Sequence, residues 1–291
     1  MQKLTNIDFK ISELTLKTFN YEIIVNNNKE SIKVLVYFGK KGVKTVLQGN
    51  KDSELYKQVH KLLFDEELFM ESDNSDEITF DEYIGTDESG KGDYFGPLIT
   101  AAVYTNKQIS SELEKTGVKD SKLISDTEIK KIEAEVKKIV RNKFDIIAIN
   151  PEKYNSLFEQ FKNLNKILAW SHTKAIENLI GIVNCKNVIS DKFGNESLIK
   201  SELSKKNIDI NIYQTTKGER FTGVAAASIL ARAKVIDWFK NKSNEIGLEI
   251  PKGAGEQVNL IARKVLEKTD KEYLAKIIKF HFKNSQNIFM K

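Results

Sequence analysis

The alternation of hydrophobic and polar positions in the first 64 residues predicts a small α+β unit. Residues 9–18 are predicted to form a short helix, and residues 52–63, with apolar side chains at helical spacing, form a second one. Between these helices lie three stretches that are typical of β-strands, at residues 21–25, 31–38 and 43–48. Asn-rich and Gly-Lys-Lys-Gly turns separate the strands.

From residue 81 to the end, strand patterns and helix patterns alternate. Strands are predicted at residues 83–86, 98–104, 144–149, 187–190 and 208–215, the first two paired as a hairpin. Helices are predicted at residues 125–141, 151–162, 165–180, 222–244 and 255–268. This order is typical of an α/β fold in which helices cover a mixed sheet.

The uneven distribution of charge along the chain adds a domain boundary to this picture. Residues 1–64 hold eleven lysines and six carboxylates, whereas residues 65–82 hold nine carboxylates and no lysine or arginine. An acidic run with Ser and Asn is typical of a solvated linker. We therefore divide the chain into a basic N-terminal domain (1–64), a linker (65–80) and a larger domain (81–291). The lysines of the first domain either neutralise a nucleic-acid backbone or simply solvate a structural domain.

Composition excludes several classes of protein. No stretch of the chain approaches the roughly 20 apolar residues of a membrane span, and its first residues lack the apolar core of a signal peptide. Cys185 is the single cysteine and the three histidines are far apart, so neither a disulfide nor a zinc site is expected. The net charge of +5 is compatible with nucleic acid but is weak evidence for it. We expect a cytoplasmic protein, monomeric by default, with no membrane partner.

The sharpest local motif is Gly-Thr-Asp-Glu-Ser-Gly-Lys-Gly at residues 85–92. An apolar strand leads into two carboxylates, Asp87 and Glu88, and then into a glycine turn that contains Lys91. Glycines let a backbone approach phosphate closely, but the carboxylates would repel the phosphate unless a divalent metal neutralised them. The motif therefore predicts Mg²⁺ or Mn²⁺. It matches neither a dinucleotide fingerprint nor a Walker loop, and an ordinary acidic hairpin is the remaining alternative.

Two further acids lie where they could join this site. Asp191 follows a short apolar strand, and ligand sites collect at the carboxyl ends of sheet strands. Glu219 lies just before an Ala-rich helix that begins near residue 222. Taken alone, Asp191 would be interpreted as the start of a turn, and Glu219 as an acid that favours the helix dipole.

Together these motifs resemble the signature of the type 2 ribonucleases H. That family carries Asp-Glu-x-Gly-(Arg/Lys)-Gly near the start of its catalytic domain, as residues 87–92 do here. The match continues in order through Gly-Val-Lys-Asp-Ser-Lys-Leu at 117–123, the strand end at Asp191, Lys-Gly-Glu at 217–219 and Ala-Ala-Ala-Ser-Ile-Leu-Ala at 225–231. The similarity thus extends from residue 83 to about residue 235.

Within that family the chain resembles bacterial ribonuclease HIII more than ribonuclease HII. Lys91 stands where HII usually has arginine, and the fourth acid is Glu219 where HII has aspartate. Residues 163–172 are similar to a segment typical of HIII. HIII enzymes also carry an N-terminal domain that resembles the TATA-binding protein and helps to bind substrate. That last likeness is architectural only, because residues 1–80 show no specific motif.

The resemblance implies a ribonuclease H-like catalytic domain that cuts the RNA strand of RNA–DNA hybrids and leaves 5′-phosphate and 3′-hydroxyl ends. It implies a site for one or two Mg²⁺ or Mn²⁺ ions whose ligands are Asp87, Glu88, Asp191 and Glu219. It also implies contacts to the nucleic acid near the cut from Ser89, Gly90, Lys91 and Gly92. Two alternatives stay open: HII-like cleavage at single ribonucleotides in DNA, and a non-catalytic hybrid-binding protein.

Other polar residues are assigned structural roles from the sequence. His172 is interpreted as a helix-surface or packing residue, because it is far from the acids along the chain. Asp93 is expected to orient its own loop. The lysine-rich end, residues 276–291, is expected either to add to a basic groove or to be a solvated tail.

Overall fold

The structure, a computed structural model, describes residues 10–17, 20–27, 29–39, 42–50, 53–64, 80–118 and 124–289. The predicted linker at residues 65–80 lies outside the described residues except for residue 80, and so does most of the motif at 117–123. The chain divides into two compact units, Met1–Ile78 and Thr79–Lys291. The larger unit contains residues 90–95, which we call the glycine loop, and all four predicted metal ligands.

The first unit is an antiparallel sheet with one helix packed on it. Its elements are β1 (Lys10–Ile11), β2 (Thr15–Leu16), β3 (Asn20–Asn26), β4 (Ser31–Gly39), β5 (Gly42–Gln48) and α1 (Glu54–Phe64). The sheet order is β1-β3-β4-β5, and β2 also pairs with β3. Val25, Ile32 and Val34 pack with Leu55 and Val59 of α1, and all five side chains are at most 4% exposed. Burial of this apolar surface holds the helix on the sheet.

The helix predicted over residues 9–18 is wrong. Its described part contains the short strands β1 and β2, which pair antiparallel with β3. Between them, the Ser12 N–H donates to the Ile24 carbonyl (2.9 Å), and the Ser12 hydroxyl accepts from the Ile24 N–H (2.8 Å). The segment satisfies its backbone groups along the edge of β3, whereas so short a helix on its own would be marginal in water.

The second unit is built around a mixed sheet, which confirms the predicted fold class. Its described strands are β6 (Glu82–Ser89), β7 (Leu98–Asn106), β8 (Phe144–Ile149), β9 (Asn187–Asp191) and β10 (Asn211–Thr215). Their order across the sheet is β10-β9-β6-β7-β8. Strand β6 is antiparallel to β7 and parallel to β9, so it lies at the centre of the sheet.

Helices flank this sheet. They are α2 (Lys107–Glu114), α3 (Asp126–Val140), α4 (Pro151–Phe161), α5 (Leu164–Ile180), α6 (Glu196–Lys205), α7 (Thr222–Ile246), α8 (Glu256–Lys268), α9 (Lys271–Ala275) and α10 (Lys283–Phe289). The predicted helices correspond to α3, α4, α5, α7 and α8, whereas α2, α6, α9 and α10 were not predicted. Asn106 and Asn195 cap the starts of α2 and α6, a signal that could have indicated both. Among the described residues, no helix is long and apolar enough to cross a membrane.

Helix α7 approaches β6 closely because two glycines face each other. A Cβ atom on Gly85 would lie 2.2 Å from the main-chain carbon of Gly223, so any side chain there would force the two elements apart. Ala225, Ala226 and Ala227 follow on the buried face and are fully covered. The Ala-rich start of α7 therefore packs tightly on the sheet, as its sequence indicates, and it brings the next turn of the helix alongside the acids of β6.

The C-terminal segment is packed against the larger unit. Ile278 forms an antiparallel bridge with Phe95, and the Gly96 N–H donates to the Ile277 carbonyl (2.9 Å). The Lys279 side chain is 0% exposed. The expectation of a solvated tail is therefore wrong for the described residues 276–289, because the isoleucines next to Lys279 anchor this stretch under the glycine loop. Lys279 is too buried to line a basic groove, and for the exposed lysines of the stretch that alternative stays a prediction.

Candidate active site

Two neighbouring strands bring Asp87 and Asp191 to the same edge of the sheet. Strand β6 continues past its predicted end at residue 86, and Asp87 pairs with Ala101 of β7. Thr86 of β6 pairs in parallel register with Ser190 of β9, so the acids that follow them lie side by side. The carboxyl ends of adjacent parallel strands thus provide the first two carboxylates.

Glu219 lies on a short 3₁₀ turn, Gly218–Arg220, that contacts Asp191 directly. The Gly218 N–H donates to Asp191 Oδ1 (2.9 Å). A Cβ on Gly218 would lie 3.0 Å from the Asp191 Cα, so glycine permits this close approach. The structure therefore places the backbone of Glu219 next to the Asp191 strand end.

Asp87 is a carboxyl group with an unfavourable charge environment. Burial raises its pKa to about 7, and the charges of Glu88 and Asp191 contribute to the increase. The Ser228 hydroxyl on α7 and the Glu88 N–H, 2.8 Å from Asp87 Oδ1, donate hydrogen bonds to the carboxylate and oppose the increase. Three carboxylates therefore interact electrostatically at this point. Ser228 belongs to the Ala-rich motif at 225–231, but no role for it was predicted from the sequence.

Glu88, in contrast, is held in its ionised form. Its burial alone would raise the pKa, but the hydrogen bond and charge of His172 and the charge of Lys91 lower it to about 2. Lys91 Nζ lies 2.6 Å from Glu88 Oε1, and His172 Nε2 lies 3.1 Å from Glu88 Oε2. Adjacent residues on a strand point to opposite faces, so Glu88 faces α5 while Asp87 faces α7.

Of the two interpretations of His172, the helix-surface one is wrong and the packing one is confirmed but incomplete, because the imidazole also reaches Glu88. Its side chain is completely buried and stacks on Phe193, with ring centroids 4.6 Å apart. Nδ1 lies 2.8 Å from the Thr86 hydroxyl, which also donates to the Ala101 carbonyl (2.9 Å), and Nε2 faces Glu88. His172 therefore orients one of the predicted metal ligands. Only the packing of α5 on the sheet brings these groups together, so no local sequence pattern could have indicated the contact.

The glycine loop begins with a backbone conformation that requires glycine. Gly90 has a φ of 87°, and a Cβ there would lie 2.3 Å from the Pro97 carbonyl oxygen. Lys91 and Gly92 at the tip of the loop are exposed. Asp93 Oδ1 accepts a hydrogen bond from the Gly253 N–H (2.6 Å), so Asp93 does orient the loop. Ser89 pairs with Ile99 at the end of β6, directly before this turn.

The acids suit a divalent cation chemically but do not converge on one point. Among the described residues, no three acidic, histidine or cysteine side chains are close enough to form an assembled metal site. Glu88 is engaged by Lys91 and His172, and Asp191 is engaged by the Gly218 N–H. All the donors are carboxylate oxygens, which Mg²⁺ and Mn²⁺ prefer, and a cation would offset both the burial and the repulsion that raise the pKa of Asp87. The residues therefore fit such an ion.

Comparison with known proteins identifies the family of this chain. The sequence model of the ribonuclease HII family matches residues 84–285. Ribonuclease HIII of Protochlamydia amoebophila is 37% identical over 303 aligned positions, which cover 99% of this chain and 97% of that protein. Ribonuclease HIII of Chlamydia pneumoniae is 42% identical over 213 positions, covering 70% of this chain and 69% of that protein. The crystal structure of Bst-RNase HIII in complex with Mn²⁺ has a similar fold, with a TM-score of 0.70 at 23% identity; the match covers 98% of this chain and 91% of that one.

The mixed sheet with acids at the ends of adjacent strands has the fold of a ribonuclease H, and the family match over residues 84–285 makes the chain a ribonuclease H-like nuclease. The chain belongs to the ribonuclease HII family, and the curated relatives that it matches along most of its length are ribonucleases HIII. The predicted family, the ribonuclease H activity and the α/β fold class are confirmed. The likeness of the N-terminal unit to the TATA-binding protein stays a prediction.

Proposed function

We propose that this chain is an endonuclease that hydrolyses the RNA strand of RNA–DNA hybrids with Mg²⁺ or Mn²⁺ and leaves 5′-phosphate and 3′-hydroxyl ends. The observation that carries the proposal is the interaction of three carboxylates, Asp87, Glu88 and Asp191, at one edge of the sheet. At Asp87 this interaction is unfavourable in the protein alone, and a bound cation would offset it. The curated relatives are named ribonuclease HIII, and the similar Bst-RNase HIII structure is a complex with Mn²⁺.

In this proposal Asp87, Glu88, Asp191 and Glu219 would hold the metal, and its chemistry when bound would be the activation of water and the stabilisation of the leaving oxygen. The protein itself contributes orientation and charge. Ser228 and the Glu88 N–H fix the Asp87 carboxylate, and His172 and Lys91 keep Glu88 ionised.

The exposed glycine loop is proposed as the contact to the nucleic-acid backbone. Ser89, Gly90, Lys91 and Gly92 lie next to the carboxylates and provide main-chain groups and one ammonium. The 2′-hydroxyl of the RNA strand is the group that distinguishes a hybrid from DNA at such a site. Lys91, which pairs with Glu88 in the protein alone, would carry the positive charge nearest to the scissile phosphate.

Cleavage of an end-labelled hybrid is the direct test of this function. We expect cutting of the RNA strand in the presence of Mg²⁺ or Mn²⁺, none in EDTA, and little or none at a single ribonucleotide embedded in DNA. Cutting at the 5′ side of the single ribonucleotide would instead assign an HII-like specificity. No cutting of either substrate, with hybrid binding intact, would leave only a binding role.

We further propose that the N-terminal unit binds the hybrid. The sheet face opposite α1 exposes Lys33 and Tyr37, which alternate along β4 with the buried residues Ile32 and Val34. Lys33 pairs with Glu22 (3.5 Å) in the protein alone and could exchange this partner for a backbone phosphate. We also propose that the protein is a monomer and that it acts in the cytoplasm.

Removal of residues 1–80 is expected to weaken hybrid binding by about tenfold and to lower the saturated cleavage rate less than threefold, because the carboxylates lie in the other unit. Fluorescence anisotropy of a labelled hybrid and steady-state kinetics would measure the two effects. An unchanged affinity of a folded truncated protein would refute a binding role for this unit.

A further inference from the structure

Lys279 is a completely buried lysine whose ammonium lies under the glycine loop. Its side chain is 0% exposed, and Nζ donates to the carbonyls of Asp93 (2.8 Å), Gly90 (3.0 Å) and Phe95 (3.5 Å). An ammonium has three N–H donors, so these three carbonyls use all of them. The loop at residues 90–95 is thus wrapped around a single internal cation.

The backbone of the same segment pairs with the loop as well. The Lys279 N–H donates to the Tyr94 carbonyl (2.8 Å), and the neighbouring Ile278 bridges to Phe95. Asn155 on α4 fixes this segment in turn, because its amide donates to the Ile278 carbonyl (2.9 Å) and accepts from the Phe280 N–H (2.9 Å). The ammonium is therefore held at a defined position relative to the loop.

Burying a charge in this way is costly, which indicates a purpose other than packing. An ammonium removed from water loses several kcal/mol of solvation, and carbonyl contacts return only part of it. Burial accordingly lowers the pKa of Lys279 to about 7, although the nearby Asp93 carboxylate acts in the opposite direction. An apolar side chain of similar length would fill the same space without this cost.

The three hydrogen bonds, together with a turn bond from the Asp93 N–H to the Gly90 carbonyl (3.3 Å), also determine which groups of the loop face outward. The described peptide bonds are not cis, and in a trans peptide the C=O and the following N–H point in opposite directions. Because the Gly90 carbonyl points inward to Lys279, the Lys91 N–H points outward, where Lys91 is exposed. The Asp93 carbonyl likewise points inward, and the Tyr94 N–H on its other side donates to Gly253 (2.8 Å).

We propose that Lys279 is a positioning residue for substrate binding, whose ammonium holds the loop so that the Lys91 N–H and side chain face a backbone phosphate of the hybrid. The inference rests on the proposed function and adds to it a group outside the acidic site. Lys279 touches no substrate in this proposal. It acts through the carbonyls of Gly90 and Asp93.

The test replaces Lys279 by methionine in the full-length protein and measures steady-state cleavage of a hybrid in Mg²⁺. A buried methionine fills the space but donates no hydrogen bond, so we expect KM to rise about tenfold or more and kcat to change less than threefold. Lys279→Gln keeps two of the three donors, so its KM is expected to lie between those of Lys279→Met and the wild type. Hydrogen exchange of the peptide that contains Lys91 and Gly92 is expected to be faster in Lys279→Met, which packing alone would not predict.

The matched control is Lys276→Met, which removes an exposed lysine of the same segment that pairs with Glu272 (2.8 Å). Its KM and loop exchange are expected to equal those of the wild type. A KM for both Lys279 variants within twofold of Lys276→Met, or a loss confined to kcat, would overturn the proposal. Failure of both variants to fold would also overturn it and assign Lys279 to stability alone.

A failure of the proposed function would give a different result in the same experiment. The wild type and Lys276→Met would then cut no hybrid at all. In that case the affinity for a fluorescent hybrid in EDTA tests the positioning role of Lys279, since binding in this proposal requires the loop but does not require cleavage. A weaker affinity of Lys279→Met than of Lys276→Met supports the positioning role, and equal affinities reject it.

Discussion

Replacing Asp87 by asparagine is expected to slow hybrid cleavage by at least about a thousandfold, or roughly 4 kcal/mol of transition-state stabilisation, while hybrid affinity stays within about threefold. The amide has nearly the same size as the carboxylate but lacks the charge that a divalent cation requires. The Glu88 N–H and the Ser228 hydroxyl, which bind the Asp87 carboxylate, can still donate to an amide oxygen. The loop that is proposed to contact the hybrid is therefore expected to keep its position.

Single-turnover cleavage and anisotropy-based binding of the same labelled hybrid would separate these two effects. Asp237→Asn is the matched control, because Asp237 lies on α7 like Ser228 but pairs with Lys130 (2.8 Å) away from the site. Its cleavage rate is expected to stay within twofold of the wild type. Near-normal cleavage by Asp87→Asn would reject the assignment of the site.

The placement of Asp87 and Asp191 at one edge of the sheet could be predicted from the sequence, because both residues lie at the ends of recognisable strands. Asp87 and Asp191 each follow a short apolar stretch, and strand ends in an α/β sheet meet at one edge. The spacing of the glycines after Asp87 indicated the turn that places Lys91 next to the acids. These inferences need only local patterns and the general topology of the fold.

The groups that support the site could not be predicted, because each comes from a distant element. His172 reaches Glu88 only through the packing of α5, and Lys279 reaches the glycine loop only through a segment at the other end of the unit. A histidine or lysine in an apolar helical or extended stretch has the same local pattern whether its polar atoms find partners or face water. The helix predicted over residues 9–18 failed for a similar reason, since pairing with β3 decided its conformation.

The charge environment of Asp87 also has a consequence for stability. In metal-free protein, Asp87→Asn is expected to raise the free energy of unfolding at pH 8 by on the order of 3 kcal/mol. The folded pKa of Asp87, about 7, is well above its ordinary value of 3.8. Between these two pH values the folded protein holds a proton that the unfolded chain has released, so stability falls as the pH rises toward 7. The asparagine variant has no such proton to lose.

The difference between the two proteins is therefore expected to depend on pH. It should be small near pH 4 and should increase through pH 7 to a plateau at pH 8. Other groups with shifted pKa values, such as Lys279 near 7, are present in both proteins and cancel in the comparison. Glu88 has a pKa lowered to about 2, so it stays ionised throughout this range. Thermal unfolding in EDTA at several pH values would measure the effect as a difference of several degrees in Tm.

Addition of Mn²⁺ connects this stability difference with the proposed activity. A cation that binds the folded protein stabilises it in proportion to its affinity, and the affinity depends on the charge that asparagine removes. We therefore expect Mn²⁺ to raise the Tm of the wild type more than that of Asp87→Asn, so that the advantage of the variant shrinks or reverses. If the Tm difference between the wild type and Asp87→Asn in EDTA is the same at pH 5 and pH 8, Asp87 does not have the raised pKa. Equal stabilisation of both proteins by Mn²⁺ would show that the cation binds elsewhere.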